Sequence, residues 1–142
     1  MRLPEQRLYD WVQRRIGHAA HLTRIESRVG RDVPDLFVAH ADWQGWVEMK
    51  ALADWPKRAT TGVRLDHWTS GQRYWSLRHR ACGGRVALLV EIAATREILV
   101  FRAADVATKI DTWTRQEWCS RAVWAGDRNA DCATTLDALE QV

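Results

Sequence analysis

A chain of 142 residues, 46% hydrophobic and 27% charged, is long enough for one packed core and too apolar for a disordered segment. No apolar run approaches the ~20 residues of a membrane-spanning helix, the first residues do not form a secretory signal, and three widely spaced cysteines, Cys82, Cys119 and Cys132, offer neither a disulfide framework nor metal-ligand spacing, which fits a reducing cytoplasm. The net charge of +3 is modest but unevenly spread: Lys57, Arg58, Arg64, Arg73, Arg78, Arg80 and Arg85 face the single acid Asp66 over that stretch, whereas from Asp127 onward four acids face one Arg128.

Pro4 suits the first position of a helix. Leu8, Trp11, Val12, Ile16 and Ala19 follow at three- and four-residue spacing, predicting an amphipathic helix that ends between Gly17 and Ala20. Glu5 falls in its first turn, where the macrodipole favours an acid, and leans toward the apolar stripe. His21 to Val29 reads as a first strand, with Leu22, Ile25 and Val29 apolar and basic residues between them. Glu26 in that strand has Arg24 and Arg28 as candidate ion-pair partners. Gly30 to Val33 reads as a loop leading to Pro34, whose fixed φ and missing N–H suit the first residue of a strand.

The stretch from Val33 to Lys50 predicts a hairpin. Leu36-Phe37-Val38 is a short β-prone run, Asp42 to Gly45 has turn chemistry, and Trp46 to Lys50 alternates with the strand period of two. In that period Trp46, Glu48 and Lys50 share one face while Val47 and Met49 share the other. An acid and an amine then stand on adjacent rungs of one face, roughly 7 Å apart along the strand, and Asp35 approaches them across the hairpin. Two converging carboxylates repel each other and resist burial. A hard divalent cation such as Mg²⁺ resolves that conflict, and an ammonium beside it completes a set suited to metal-assisted phosphodiester hydrolysis.

Ala51 to Val63 has no clear period and reads as a long loop beside the hairpin. Its Trp55 is either a hydrophobic anchor or a ring free to stack on a base. Thr69-Ser70-Gly71-Gln72 has capping-box form and opens a helix to about Cys82, on which Trp68, Gln72, Trp75 and Cys82 share one face. Gln72 either closes the cap or reaches the hairpin acids. Arg73 and Arg80, seven residues apart, mark another face, turned to solvent or to phosphate. Gly83-Gly84 ends this helix. Val86 to Ile92 is a continuous apolar run, expected to be a central strand covered on both faces, and Arg96 to Arg102 is its partner. Ala103 to Ile110 reads as a short helix, Thr112 to Trp124 as a further helical region carrying Trp113, Trp118 and Trp124, and Asp127 to Val142 as an acidic tail with a short helix from Thr135.

Pro34-Asp35, followed thirteen residues later by Glu48-Met49-Lys50, resembles the PD-(D/E)XK nuclease superfamily. Arg24-Ile25-Glu26-Ser27-Arg28-Val29-Gly30 upstream and Gln72-x-x-Trp75 downstream are similar to its VRR-NUC and phage Holliday-junction-resolvase-like branch. The resemblance covers about residues 1–102. It implies a restriction-endonuclease-like α/β (α+β) core, a mixed β-sheet flanked by helices in the order α-β-β-β-α-β, to which residues 103–142 add a C-terminal helical extension of a single 1–142 domain. It implies metal ligation by Asp35, Glu48 and the Met49 carbonyl, with Lys50 acting on the attacking water. Glu26, Gln72 and, as a possible additional acid, Glu5 stand behind them, Glu26 as a candidate second-metal ligand.

The implied activity is Mg²⁺- or Mn²⁺-dependent hydrolysis of DNA phosphodiesters, leaving a 5′-phosphate and a 3′-hydroxyl. The implied substrate is branched DNA in recombination or repair, cut by a homodimer in the cytoplasm of a bacterial or phage-infected cell. A flap, linear-end or restriction-type nuclease, or a DNA-binding domain that has lost its chemistry, are the alternatives. Lys57, Arg58, Arg64, Arg73 and Arg80 are the expected phosphate contacts. Eighteen of the 21 basic residues are arginines, the better side chain for bidentate phosphate binding.

Overall fold

The computed structural model describes residues 3–26, 32–41 and 43–142. Six strands form one mixed sheet in chain order, β1 (His21–Arg24), β2 (Leu36–His40), β3 (Trp43–Leu52), β4 (Val86–Ile92), β5 (Glu97–Arg102) and β6 (Trp124–Asp127). Every neighbouring pair is antiparallel except β3 and β4. A parallel pair needs a crossover. Residues 53–85 supply it, with helix α2 (Ser70–Ala81) at its centre. With α1 (Pro4–Ile16) in front, the first elements run α-β-β-β-α-β, the order expected from the sequence.

The strand period sorts the sheet into two faces. Leu36, Val38, Val47, Met49, Ala87, Leu89, Ile98 and Val100 pack under α1 and α5 (Cys132–Glu140), through Leu8, Trp11, Val12 and Ile16 of the one and Leu136, Ala138 and Leu139 of the other. On the opposite face Leu88, Val90, Ile92, Leu99 and Phe101 pack under the crossover loop, α3 (Ala103–Val106) and α4 (Arg115–Arg121). β4 is buried along its whole length. Its Glu91 lies among apolar neighbours yet is paired, because Arg128 donates to Oε2 from Nε at 2.6 Å and also pairs with that oxygen through Nη2. The Arg128 carbonyl in turn accepts the Trp11 indole N–H at 3.0 Å and Arg15 Nη2 at 2.9 Å, tying α1 to the end of β6.

Several expected boundaries move. The hairpin turn is not Asp42–Gly45. His40 already pairs with Trp43, and Ala41 takes φ 48°, as a two-residue turn between twisted strands requires. Trp43 is buried and Gly45 is a strand residue. A Cβ on Gly45 would lie 3.3 Å from both the Trp43 ring and Arg85 Cβ, so the close approach of these groups accounts for the glycine. The first strand ends at Arg24, and Ser27, Arg28, Val29 and Gly30 lie outside the described residues. β3 extends through Leu52, two residues into the expected loop.

The region after residue 102 is not simply helical. Trp124 begins an edge strand that pairs with β5, and α5 starts at Cys132, capped by Asp131, whose side chain accepts Thr134 N–H at 2.8 Å. Trp113 and Trp118 are buried in the main core, where the Trp118 indole donates to Ile110 O. They are not a spare aromatic surface for a second copy of the chain. Trp55 is likewise an anchor: it is 6% exposed, its indole donates to Glu97 Oε1, and its ring meets Trp118 edge-on. No helix among the described residues is long and apolar enough to cross a membrane.

Candidate active site

The acids meet where the β2–β3 hairpin ladder ends. Leu36 pairs with Val47, so one rung further Asp35 stands opposite Glu48 on the same face. β3 continues beyond the end of β2, and Asp35 takes over the next ladder position. Its Oδ2 accepts the Met49 N–H at 2.9 Å. The carbonyl of a strand residue points to the same side as its N–H, so Met49 O also faces the Asp35 edge. The side chain of Met49 goes the other way, into the core under α1.

Glu48 is 1% exposed and Lys50 7%. The Lys50 ammonium lies 2.9 Å from Glu48 Oε1, yet this enclosed oxygen receives no properly directed hydrogen bond. The contact is an ion pair of poor hydrogen-bond alignment. Burial first, and then the charge of Asp35, raise the Glu48 carboxyl from 4.5 to about 7, with Lys50 only partly offsetting them. Asp35 is raised for the same leading reason, burial. The Met49 N–H, the Lys50 charge and a hydrogen bond from the protonated Glu48 carboxyl pull it back, and the charge of Glu5, at the start of α1, adds a last upward push.

Two opposed acids, one with a buried oxygen lacking a directed donor, and a carbonyl at the same edge are hard oxygen donors that fit a divalent cation. They are a minimal set. Among the described residues no cluster of three or more His, Cys, Asp or Glu side chains is placed to hold a metal ion.

The remaining candidates divide. Glu5 is near enough for its charge to act on Asp35. Glu26 follows the end of β1, exposed and without an ion pair or hydrogen bond among the described residues, although its neighbour Ile25 donates to Asp35 O at 2.8 Å. Arg24 turns instead to Gln6 Oε1 and the face of Tyr9. Gln72 closes the cap: its Oε1 accepts Thr69 N–H at 3.0 Å, while Thr69 Oγ1 accepts Gln72 N–H. The buried residue of α2 is Ser76, so the inward face is centred there and Cys82 is exposed.

Arg73 is turned inward, against the expectation that it contacts phosphate. Its guanidinium donates to the carbonyls of Trp68, Ala107 and Leu65, pairs with Asp111 at 2.7 Å and covers the Trp68 ring. It locks the crossover loop to the segment after α3. Arg64 is exposed and pairs with Asp66, and Lys57, Arg58 and Arg80 are exposed. Sequence reasoning does not single out Phe37, Trp46, Trp75 and His79 as a group, whose rings run in series from the hairpin to α2 at centroid distances of 5.1, 5.6 and 4.7 Å. The one signal for it is that Trp46 shares the strand face of Glu48 and Lys50.

No family model matches this chain, and no curated protein does. Among solved structures it is similar to Hjc of Archaeoglobus fulgidus, a Holliday junction resolvase from an archaeal hyperthermophile, over 71% of this chain and 74% of that one, with 11% identity and a TM-score of 0.49. So loose a likeness supports no residue-by-residue correspondence.

Proposed function

We propose that this chain is a metal-dependent endodeoxyribonuclease of the PD-(D/E)XK kind, acting on branched DNA. The observation that carries the reading is the directly opposed pair of half-buried Asp35 and buried Glu48, with Lys50 2.9 Å from Glu48. Such a group is unfavourable to the fold on its own, so it calls for a chemical use.

Asp35, Glu48 and the Met49 carbonyl would hold Mg²⁺ or Mn²⁺, which when bound polarises a phosphate and eases deprotonation of a water. The chain's own residues do the rest. The Met49 N–H fixes the Asp35 carboxylate by its Oδ2 and leaves Oδ1 for ligation. Lys50 supplies positive charge to the attacking water and to the phosphate oxygens as negative charge develops. Burial of Glu48 and Lys50 limits competing bulk water and strengthens these interactions. Exposed Lys57, Arg58, Arg78, Arg80 and Arg85 supply phosphate contacts around the site.

The preference for branched DNA follows from the sequence resemblance. A four-way junction needs two symmetric cuts, and a two-fold dimer would supply two sites. With Trp113 and Trp118 consumed by the core, such a dimer would have to use other surface.

The test is cleavage of a four-way junction, a flap and a linear duplex side by side, with and without Mg²⁺, alongside light scattering against the 16.4 kDa of one chain. Asp35→Ala, Glu48→Ala and Lys50→Ala should each remove most cleavage, and Lys50→Ala should leave DNA binding nearly intact. Full activity in EDTA, or a wild-type rate for Glu48→Ala, ends the nuclease reading. A monomer that cuts flaps and spares junctions ends only the resolvase version.

A further inference from the structure

The outward face of α2 is built unlike a solvated helix face. Gly71, Tyr74, Trp75, Arg78, His79 and Cys82 follow one another at alternating spacings of three and one, the pattern that normally points into a core. Here they line an open groove whose far lip is Asp32, just before β2. The Asp32 carboxylate lies so close over the first turn of α2 that a Cβ on Gly71 would sit 2.5 Å from its Oδ1.

Tyr74 is 63% exposed, and neither its side chain nor that of Arg78 makes a ring contact, hydrogen bond or ion pair among the described residues. Trp75 stacks on His79 with ring planes 18° apart and meets Trp46 edge-on. Trp46 shares its strand face with Glu48 and Lys50. The groove is thus continuous, through aromatic contacts, with the candidate active site.

We propose that this groove binds one unpaired nucleotide of the DNA strand, with its base against Tyr74 and the Trp75–His79 stack and its phosphate on Arg78. Stacking on aromatic side chains is indifferent to base identity and available only to a base released from its duplex. The two charges set the direction of entry: Asp32 repels phosphate at one end and Arg78 attracts it at the other. A single-stranded tail or an opened branch point supplies such a nucleotide, so the groove gives a nuclease a means of preferring branched over plain DNA without reading sequence. The inference deepens the nuclease reading and rests on it for the nature of the ligand.

Binding is measured by fluorescence anisotropy in EDTA, so that cleavage plays no part. The probes are a blunt duplex, the same duplex with a short single-stranded tail, and the same tail made of abasic nucleotides. The tailed duplex should bind about tenfold more tightly than the abasic one, given the strength of base–aromatic stacking. Tyr74→Ala, at an exposed position that folding tolerates, and His79→Ala should each remove most of that difference. Arg78→Ala should weaken the tailed and abasic probes together. Alkylation of Cys82, at the groove's rim, should slow with the tailed probe and not with the abasic one.

Equal affinity for the two tails, an unchanged preference in Tyr74→Ala, or no binding to any probe overturns the inference. Mg²⁺-dependent cleavage alongside equal tail affinities refutes the groove and leaves the nuclease. Base-dependent binding without cleavage supports the groove and removes the chemistry.

Discussion

Replacing Glu48 by glutamine should stabilise the metal-free protein, and only above the pH at which Glu48 ionises in the unfolded chain. A carboxyl that folding raises from 4.5 to about 7 keeps its proton in the native state while the unfolded chain has lost it. Below pH ~4.5 both states are protonated and the group contributes nothing. As pH climbs from 4.5 to 7 the unfolded state binds fewer protons than the native state, so stability falls, and above 7 the fall is complete. The raised Asp35 acts in the same direction. At 1.36 kcal/mol for each tenfold change in proton affinity, the ionised Glu48 costs the fold about 3 kcal/mol.

Glutamine imitates the neutral acid in shape and carries no charge, and Lys50 keeps Asp35 as its counter-charge. Glu48→Gln should therefore match wild type near pH 4.5 and exceed it by up to ~3 kcal/mol at pH 8, roughly 10 °C in Tm for a chain of this length. Thermal unfolding in EDTA at a series of pH values reads this directly. Mg²⁺ should raise the wild-type Tm at pH 8 by binding the native state and leave the variant nearly unmoved. A variant less stable than wild type at pH 8, or a difference independent of pH, would refute the argument that Lys50 only partly offsets the burial of Glu48 and its repulsion by Asp35.

The other predictions concern residues whose charge serves the fold or the DNA. Arg128→Ala leaves Glu91 buried without its partner and should cost about 3–5 kcal/mol in denaturant unfolding; a cost under 1 kcal/mol would mean that Glu91 is neutral or hydrated. Arg73→Ala removes hydrogen bonds to three carbonyls and an ion pair with Asp111, and should cost about 3 kcal/mol while leaving the salt dependence of DNA binding unchanged. Neutralising Arg78 and Arg80 together should shrink the slope of log affinity against log salt by ~0.9 for each duplex phosphate that the variant no longer neutralises. An unchanged slope would place the DNA on another surface.

The hairpin is legible in the sequence because the strand period is local information. Alternation from Trp46 to Lys50 assigns Glu48 and Lys50 to one face whatever the rest of the chain does, and the observed faces follow it. The capping box and the uninterrupted apolar β4 are equally local. What the sequence conceals depends on distant partners. Trp124-Ala-Gly-Asp has no strand signature and becomes a strand only because β5 offers an unpaired edge. Arg73 sits seven residues from Arg80, so spacing alone gives both the same destination. Its position one turn into α2 instead brings it over the carbonyls of Leu65, Trp68 and Ala107. The tryptophans invert for the same reason: Trp55 and Trp118 meet across 63 positions of sequence to fill the core, while Tyr74 and Trp75, on a helix face that periodicity would bury, line the open groove.

The two buried glutamates show why charge within a strand does not itself mark a site. Glu48 on β3 and Glu91 on β4 are each 1% exposed and each lie between two apolar residues, so that only Lys50, two positions on, sets Glu48 apart as sequence. Glu91 meets one guanidinium through two nitrogens and no second acid among the described residues, so its ionised form is matched by the fold. Glu48 faces Asp35 across the hairpin and has only a misaligned lysine to offset it. A fold selected for stability alone would exchange that glutamate for glutamine or an apolar residue. Its place beside Asp35 and Lys50 fits the proposed chemistry, in which a cation and a phosphate complete the charge balance, and that is the physical ground for proposing chemistry for one buried acid and architecture for the other.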